Sequence, residues 1–290
     1  MHDEQDIKRA VRERYAGHAT TATSCCSTPS VTASEAADAS SCGCAGTPPV
    51  PGAIPSEVLG YDESDLAEIP EGADLGLGCG NPLAMLELRE GETVVDLGSG
   101  GGIDCFLAAK RVGQTGHVIG VDMTPEMIDR ARRNAAKSAF DNVEFRLGEI
   151  EHLPVADESA DAIISNCVIN LVPDKAGVFV ETFRVLKPGG RLSVSDMVTV
   201  GGVPPEIRDS AEAYVACLAG AIERDDYLAM IRDAGFEDVS VTSVHAFSVE
   251  DVLAEDQIDD FARKMDIGSA ELREAAGRFL SIRVSARKPA

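Results

Sequence analysis

The chain has 290 residues and carries 26 Lys and Arg against 49 Asp and Glu, which gives a formal net charge of −23. This acidity argues against a nucleic-acid partner, because few cations are available to pair with phosphates. Hydrophobic residues make up 44% of the chain, enough for a sizeable core, so wholesale disorder is excluded. No apolar run approaches the roughly 20 residues of a membrane span, and the N-terminus shows no secretory signal pattern. We therefore expect a monomeric cytoplasmic protein without a membrane or nucleic-acid partner.

The first 56 residues divide into a helix and an arm. Residues 3–18 carry apolar side chains at helical spacing, which predicts an amphipathic helix. Residues 19–56 consist almost entirely of Ala, Ser, Thr, Gly, Pro and Cys, a composition with too little apolar surface to offset the entropy of ordering. We therefore predict a flexible arm. It contains half of the eight cysteines, namely Cys25, Cys26, Cys42 and Cys44.

Residues 57–200 alternate between apolar strands and amphipathic helices. Strands are predicted for the segments ETVVDLGS, HVIGVD, NVEFRLG, ADAIISNC and RLSVSDMV. Thr124 as a cap and Pro125 at the first helical position predict the start of the helix after the second strand. The KPGG segment, residues 187–190, is predicted as the turn that ends the last helix. This alternation predicts an α/β fold, a Rossmann-like parallel sheet with helices on both faces.

Residues 201–290 show a looser α+β pattern, which is the third part of the predicted organisation. Helices are predicted at 204–220, 224–235 and 249–277, and strands at 238–247 and 278–287.

A glycine-rich turn follows the first predicted strand. Gly98, Gly100 and Gly102 stand at positions one, three and five, whereas a nicotinamide dinucleotide loop needs a glycine at position six, where Ile103 stands. Asp122 ends the second strand, where an acid can accept hydrogen bonds from both hydroxyls of a ribose. The turn, with an acid two residues before its first glycine, resembles the S-adenosylmethionine loop of class I methyltransferases.

That resemblance implies a set of cofactor-binding residues along four strands. Glu149 and Ile150 follow the third strand, where adenine is usually bound, and Asn166 ends the fourth strand beside the reacting centre. The complete implied set is Asp96, Gly98, Ser99, Gly100, Gly102, Asp122, Met123, Glu149, Ile150 and Asn166.

The other four cysteines lie in the globular part of the chain. Cys105 falls in an apolar stretch of the helix after the glycine turn, which predicts a small buried core residue. Cys79 lies in a loop of glycines and proline, Cys167 directly follows the fourth strand, and Cys217 lies in a predicted helix after the fifth. Cys167 and Cys217, each taken alone, are compatible with core packing, whereas the loop around Cys79 offers no apolar face. Together they are three thiols that could converge above the cofactor.

Five segments together resemble the arsenite S-adenosylmethionine methyltransferases, namely LGLGCGNP, DLGSGGGIDCFLAA, ISNCVINLVPDK, RVLKPGGRLSVSD and CLAGA. The match runs from about residue 57 to 245 and includes the Cys-Cys pair after the N-terminal helix. It implies a cofactor-binding domain over 57–200 and a substrate-covering region over 201–290. It also implies that Cys79, Cys167 and Cys217 bind As(III), and that Cys25 or Cys26 resolves a disulfide during turnover. An enzyme of this kind would detoxify arsenic, and glutathione or thioredoxin would be its external reductant.

The expected chemistry agrees with these residue types. As(III) is soft, so thiolates are its natural ligands, and its lone pair can attack a sulfonium methyl group without a general base. Reduction of the oxidised arsenic would leave a protein disulfide that an external thiol reopens. Tyr15-Ala16-Gly17 departs from the Tyr-Gly usual in the family, which leaves the choice between Cys25 and Cys26 open.

The arm cysteines have one conventional alternative role, structural zinc binding. Their spacing does not match a zinc ribbon, so no structural metal is expected, and the role of Cys42 and Cys44 is open.

Two rival functions are also compatible with parts of the sequence. A methyltransferase acting on carbon or oxygen of a quinone would leave the cysteines unexplained, and the chain is only 4% aromatic with no Trp. A non-catalytic metalloid-binding thiol protein would not need the glycine turn.

Overall fold

Seven strands form one sheet in the computed structural model, which describes residues 4–21, 55–203, 220–246, 255–264 and 267–290. The order across the sheet is β3-β2-β1-β4-β5-β7-β6. The strands are β1 Thr93–Leu97, β2 His117–Asp122, β3 Val143–Leu147, β4 Ala160–Asn166, β5 Leu186–Thr199, β6 Glu237–Ala246 and β7 Phe279–Arg287.

The helices lie between these strands and ahead of them. In chain order they are α1 Glu4–Thr21, α2 Glu63–Leu66, α3 Ile103–Val112, α4 Pro125–Ala136, α5 Lys175–Val185, α6 Arg224–Asp233, α7 Glu255–Lys264 and α8 Ser269–Ala276. The short α2 was not predicted, and the predicted helix at 204–220 lies outside the described residues except for its last position. Within the described ranges, none of the helices combines the length and the apolar character that a membrane crossing requires.

The first five strands run parallel, which confirms the predicted α/β sheet. β1 pairs in parallel with β2 and β4, and β4 pairs in parallel with β5. β7 then inserts antiparallel between β5 and β6, so residues of the last part of the chain complete the same sheet. In β1, Val94, Val95 and Leu97 are all fully buried, as expected for a strand covered on both faces.

Two apolar clusters cover the two faces of the sheet. Val94 belongs to one cluster and Val95 to the other, because successive side chains of a strand point to opposite faces. Phe106 of α3 packs in the first cluster, and Phe179 of α5 packs in the second. Cys105 is fully buried in the first cluster, which confirms its predicted place in the core.

Two local predictions agree with the structure in position but not in detail. α5 ends at Val185, just before KPGG as predicted, but the KPGG segment belongs to β5, and the register between β4 and β5 shifts there. Gly189 has a φ of +76° and donates its N–H to the Lys288 carbonyl at 3.0 Å, so the strand continues through an irregular stretch. Thr124 is the N-cap of α4 and Pro125 its first residue, as predicted, although the Thr124 side chain makes no capping hydrogen bond. Its N–H instead donates to the Asp122 carboxylate at 2.8 Å.

Replacing Gly120 of β2 by Ala should destabilise the sheet. The new Cβ would lie 2.7 Å from Phe145 Cδ1 and 2.8 Å from Cys105 Sγ, so the core would be overpacked at a cost of about 1–3 kcal/mol. Gly17→Ala is the matched control, since a Cβ in α1 meets nothing within 4 Å and helix propensity should add about 0.5–1 kcal/mol. Urea unfolding followed by circular dichroism measures both. Equal free energies of unfolding for the two variants would contradict this packing argument.

Candidate active site

The glycine turn links the carboxyl end of β1 to α3. Gly98 has a φ of +69°, and a Cβ there would collide with the side chain of Val168, so this position requires glycine. Gly100 has a φ of +51°, and its missing Cβ would face open space. Gly102 precedes the first residue of α3. The turn therefore combines close packing at its base with an open side at Gly100.

Asp122 holds this turn in place. Its carboxylate accepts the Gly100 N–H at 3.0 Å and the Thr124 N–H at 2.8 Å. Burial raises the pKa of Asp122, and these two backbone donors oppose that rise. Each carboxylate oxygen keeps a further acceptor position. Asp122 is therefore able to fix the turn and to bind a ligand hydroxyl at the same time.

A partly open cleft lies beside the turn. Small-molecule sites are usually found in concave clefts of this kind. Among the predicted cofactor-binding residues, the cleft is lined by Asp96, Gly98, Ser99, Gly100, Asp122, Met123, Ile150 and Asn166. Gly102 and Glu149 are not part of its lining. Val11 and Tyr15 contribute from α1, so the N-terminal helix forms part of the wall.

Glu149 has a different environment from the one predicted. Its carboxylate accepts a hydrogen bond from Lys8 Nζ at 2.7 Å and lies 3.5 Å from Arg12. The hydrogen bond from Lys8 lowers the pKa of Glu149. The same lysine lies 2.9 Å from Glu151, which lines the cleft beside Ile150. The carboxylate of Glu149 therefore anchors α1 over the cleft.

A hydrogen-bonded network of three side chains lies at the base of the cleft. Tyr61 donates its hydroxyl to Asp104 at 2.8 Å, and Asn166 donates its amide to the Tyr61 oxygen at 2.9 Å. The Asn166 carbonyl accepts the N–H of Cys79 at 3.1 Å, and its amide also reaches the Gly80 carbonyl at 2.8 Å. Asn166 thereby ties the 78–80 loop to the end of β4.

Tyr61 and Asp104 were not identified as site residues from the sequence. Asp104 could have been found, because it is an acid in the first turn of α3, directly after the glycine turn. Tyr61 has no comparable local signal, since it lies in a loop 43 positions before Asp104. Both side chains are buried and both line the cleft. Burial raises the pKa of Asp104 to about 6.

Two of the predicted arsenic ligands meet beside the cleft, and one of them, Cys167, is part of its lining. The sulfurs of Cys79 and Cys167 and a carboxylate oxygen of Asp196 all lie within 4.8 Å of one another. The three residues are 5%, 6% and 1% exposed. Cys167 has a left-handed φ of +57° and donates its N–H to the Ser195 carbonyl at 2.8 Å. This strained backbone lies where β4 ends, a frequent place for functional residues.

The other predicted thiols lie outside the described residues, namely Cys217, Cys25 and Cys26, as do Cys42 and Cys44. Within the described part of the chain, the predicted thiols that meet are those of Cys79 and Cys167.

Asp196 was not identified from the sequence, although an acid in the apolar strand β5 is an unusual feature. Its Oδ1 accepts hydrogen bonds from Asn170 Nδ2 at 2.8 Å and from the Met197 N–H at 2.9 Å. Its Oδ2 accepts the Tyr227 hydroxyl at 3.1 Å. Burial raises the pKa of Asp196 to about 7. Three donors thus hold this carboxylate beside the two thiols.

The electrostatics of the cleft suit a cationic ligand. Asp96 and Asp104 are buried in its wall and Asp122 is half-buried there, and desolvation raises the pKa of each. The hydroxyl of Ser99 is also buried in this wall, without a hydrogen-bond partner among the described residues. A positively charged, hydroxyl-bearing ligand would satisfy these groups. S-Adenosylmethionine, with its sulfonium, ammonium and ribose, has this chemistry.

Comparison with known proteins identifies the family. A family model described as a methyltransferase domain matches residues 88–235, about half of the chain. An arsenite methyltransferase of Halobacterium salinarum is 47% identical over 288 residues, which are 99% of this chain and 68% of that protein. The chain belongs to the arsenite methyltransferase family. An arsenite methyltransferase of Homo sapiens is 38% identical over 192 residues. That match covers 63% of this chain and about half (51%) of the human protein.

The solved structures agree with this assignment. A crystal structure of an arsenic(III) S-adenosylmethionine methyltransferase from Chlamydomonas reinhardtii matches with a TM-score of 0.59 and 33% identity. The match covers 83% of this chain and 74% of that one. The predicted class I methyltransferase fold is thereby confirmed, and the chain is an S-adenosylmethionine-dependent methyltransferase.

Cofactor binding by this methyltransferase should strengthen as the pH rises from 5 to 7. Asp104 is protonated below about pH 6, and its ionised form attracts a cation more strongly. We expect the affinity for S-adenosylmethionine to increase roughly five- to tenfold over this range, as isothermal titration calorimetry would measure.

Two controls make this prediction specific. S-Adenosylhomocysteine lacks the sulfonium charge and should show a smaller increase in affinity. Asp104→Asn, which cannot ionise, should flatten the dependence for both ligands. An affinity for S-adenosylmethionine that stays constant from pH 5 to 7 would contradict the role given to these carboxylates.

Proposed function

We propose that this enzyme methylates arsenite while protein thiols hold it. The observation that carries the proposal is the meeting of Cys79 and Cys167, whose sulfurs lie within 4.8 Å of each other beside the cofactor cleft. Thiolates are the ligands that soft As(III) favours. Cys217, outside the described residues, is proposed as the third ligand on the strength of the family resemblance.

The position of Cys167 supports the transfer. This residue lines the cleft and also belongs to the thiol pair, so an arsenic atom bound to its sulfur is held at the cofactor site. Asn166 positions the other thiol, because its side chain binds the backbone of Cys79 and Gly80. Holding two reactants together in this way converts a bimolecular encounter into an effectively unimolecular step.

The chemistry balances without a general base. When bound, S-adenosylmethionine supplies a methyl group on a sulfonium, and the C–S electron pair stays with that sulfur as the arsenic lone pair forms the As–C bond. Arsenic changes from the trivalent to the pentavalent state in this step. The buried thiols keep water from the reacting centre, since Cys79 and Cys167 are both almost fully covered.

The protein can then return arsenic to the trivalent state. Two thiolates give up two electrons and become a disulfide, which an external thiol such as glutathione or thioredoxin reduces by exchange. We propose Cys25 or Cys26 as the thiol that resolves this disulfide. The helix α1 supports the assignment, because it packs at the cleft and ends at Thr21, a few residues before both cysteines.

The cofactor contacts are proposed from the lining of the cleft. Asp122 and Ser99 can bind hydroxyl groups, and Asp96 and Asp104 offset positive charge. Met123 and Ile150 provide apolar surface for the adenine ring. Gly100 admits the ligand close to the backbone, as its open side indicates.

Removing either described thiol should abolish methylation without affecting cofactor binding. For Cys79→Ser and Cys167→Ser we expect methyl transfer to arsenite to fall roughly 100-fold or more, because arsenic loses a ligand that positions it. Labelled S-adenosylmethionine with arsenite and excess thiol measures the rate. Calorimetry with S-adenosylmethionine checks that each variant keeps its cofactor site.

The same assay separates the rival functions. Methylation at the normal rate by both variants would overturn the proposal. Tight arsenite binding by the unaltered protein without any methyl transfer would instead indicate a metalloid-binding protein. Methylation of a quinone but not of arsenite would indicate a small-molecule methyltransferase.

One arm cysteine should be needed for repeated turnover only. We expect either Cys25→Ser or Cys26→Ser to keep the first methyl transfer and to lower the steady-state rate roughly tenfold, because the disulfide is no longer resolved. Rapid-quench measurements of the first turnover, compared with steady-state rates, separate these steps. Unchanged steady-state rates in both single variants and in the double variant would exclude this role for the arm.

A further inference from the structure

We infer that Cys79, Cys167 and Asp196 together form a binding site for a thiophilic divalent cation of the zinc type. The cation would exclude arsenite, because both would use the same two thiols. The cation site follows from the three side chains, whereas the competition with arsenite rests on the proposed function.

The distances between the donor atoms are close to those of a zinc site. Two sulfurs at about 2.3 Å and one oxygen at about 2.0–2.2 Å from a tetrahedral ion lie roughly 3.5–3.8 Å apart. In the structure the three donor atoms lie within 4.8 Å of one another. Small rotations of the side chains, of roughly 1 Å at the donor atoms, close the site.

The carboxylate is held as a metal ligand commonly is. Asn170 and the backbone N–H of Met197 bind its Oδ1, and the hydroxyl of Tyr227 binds its Oδ2. Ligating side chains are usually oriented by such outer hydrogen bonds, which also tune their affinity for the ion. A carboxylate has about four acceptor positions. The three donors therefore leave Asp196 able to bind a cation.

The charges at the site suit a divalent ion. Lys175 lies near Asp196, and its ammonium donates to the carbonyls of Asn170 and Val172. When the two thiol protons leave to solvent as the ion binds, two thiolates and a carboxylate carry more negative charge than this lysine offsets. The divalent cation offsets the remainder.

The combination of sulfur and oxygen donors also distinguishes a zinc-type cation from arsenite. Asp196 provides a hard oxygen, which Zn²⁺ accepts together with thiolates, whereas As(III) relies on sulfur. Loss of the carboxylate should therefore weaken the cation much more than arsenite. This difference allows the cation site to be tested separately from the arsenite site.

Cobalt is the probe, since Co²⁺ occupies zinc sites and shows absorption bands when thiolates bind it. The 290-residue chain is used with Cys25→Ser, Cys26→Ser, Cys42→Ser and Cys44→Ser, so that the arm thiols cannot bind the ion. A phosphine keeps the remaining thiols reduced. We expect one Co²⁺ per chain with thiolate-to-cobalt bands, Zn²⁺ displacing it, and one equivalent of arsenite removing the bands.

The decisive variant is Asp196→Asn in the same background. We expect it to weaken Co²⁺ and Zn²⁺ at least roughly tenfold, while arsenite affinity changes less than threefold. Asp157→Asn is the matched control, because Asp157 is an exposed acid paired with Arg184; it should bind cobalt as the parent does. Equal cobalt affinity in Asp196→Asn and its parent, or cobalt that stays bound when arsenite saturates, would overturn the inference.

A second measurement applies if Asp196→Asn fails to fold. X-ray absorption of the zinc-loaded parent should show at least two sulfur neighbours and at least one oxygen neighbour. A shell of sulfur alone, or one without sulfur, would overturn the site. Cobalt binding in a protein that never methylates arsenite would refute the proposed function and leave the cation site intact.

Discussion

The parallel pairing of β1 with β4 is the constraint on which the rest of the site depends. The pairing aligns Leu97 with Ser165, so both strands end at the same edge of the sheet. The glycine turn leaves one strand there, and Asn166 and Cys167 end the other. Because both faces of these strands are buried, a slip of one residue would turn apolar side chains to the wrong side. The register therefore also sets the distance between cofactor cleft and thiols.

Asn166 extends this constraint to a segment without regular structure. The 78–80 loop has no strand or helix of its own, and the Asn166 side chain satisfies backbone groups of Cys79 and Gly80. Ser281 of β7 donates its hydroxyl to the Cys79 carbonyl at 2.7 Å. Networks of buried hydrogen bonds are stable only when every member is satisfied. The thiol of Cys79 is thus positioned by side chains from two distant strands.

Acids withdrawn from water, and not the net charge of −23, face the two proposed ligand sites. Asp96, Asp104 and Asp122 line the cleft proposed for the cofactor, and Asp196 lies beside the thiols. Burial disfavours an ionised carboxylate, so a cationic ligand in either place would relieve an existing cost. The acidic side chains on the surface are solvated, and their mutual interactions are screened by salt. Charge therefore acts most strongly where water is excluded.

Local patterns in the sequence were sufficient for the succession of strands and helices and for the glycine turn, because each depends on neighbouring residues. The approach of Cys79 to Cys167 was expected from the family resemblance, since the two cysteines are far apart along the chain. Only the tertiary structure showed that Glu149 binds Lys8, that β7 inserts antiparallel beside β5, and that Asp196 lies against Cys79. These pairs are far apart along the chain, and their contact depends on sheet register and packing. Hydrophobic periodicity reports which face of an element is buried, but it carries no information on which distant element covers that face.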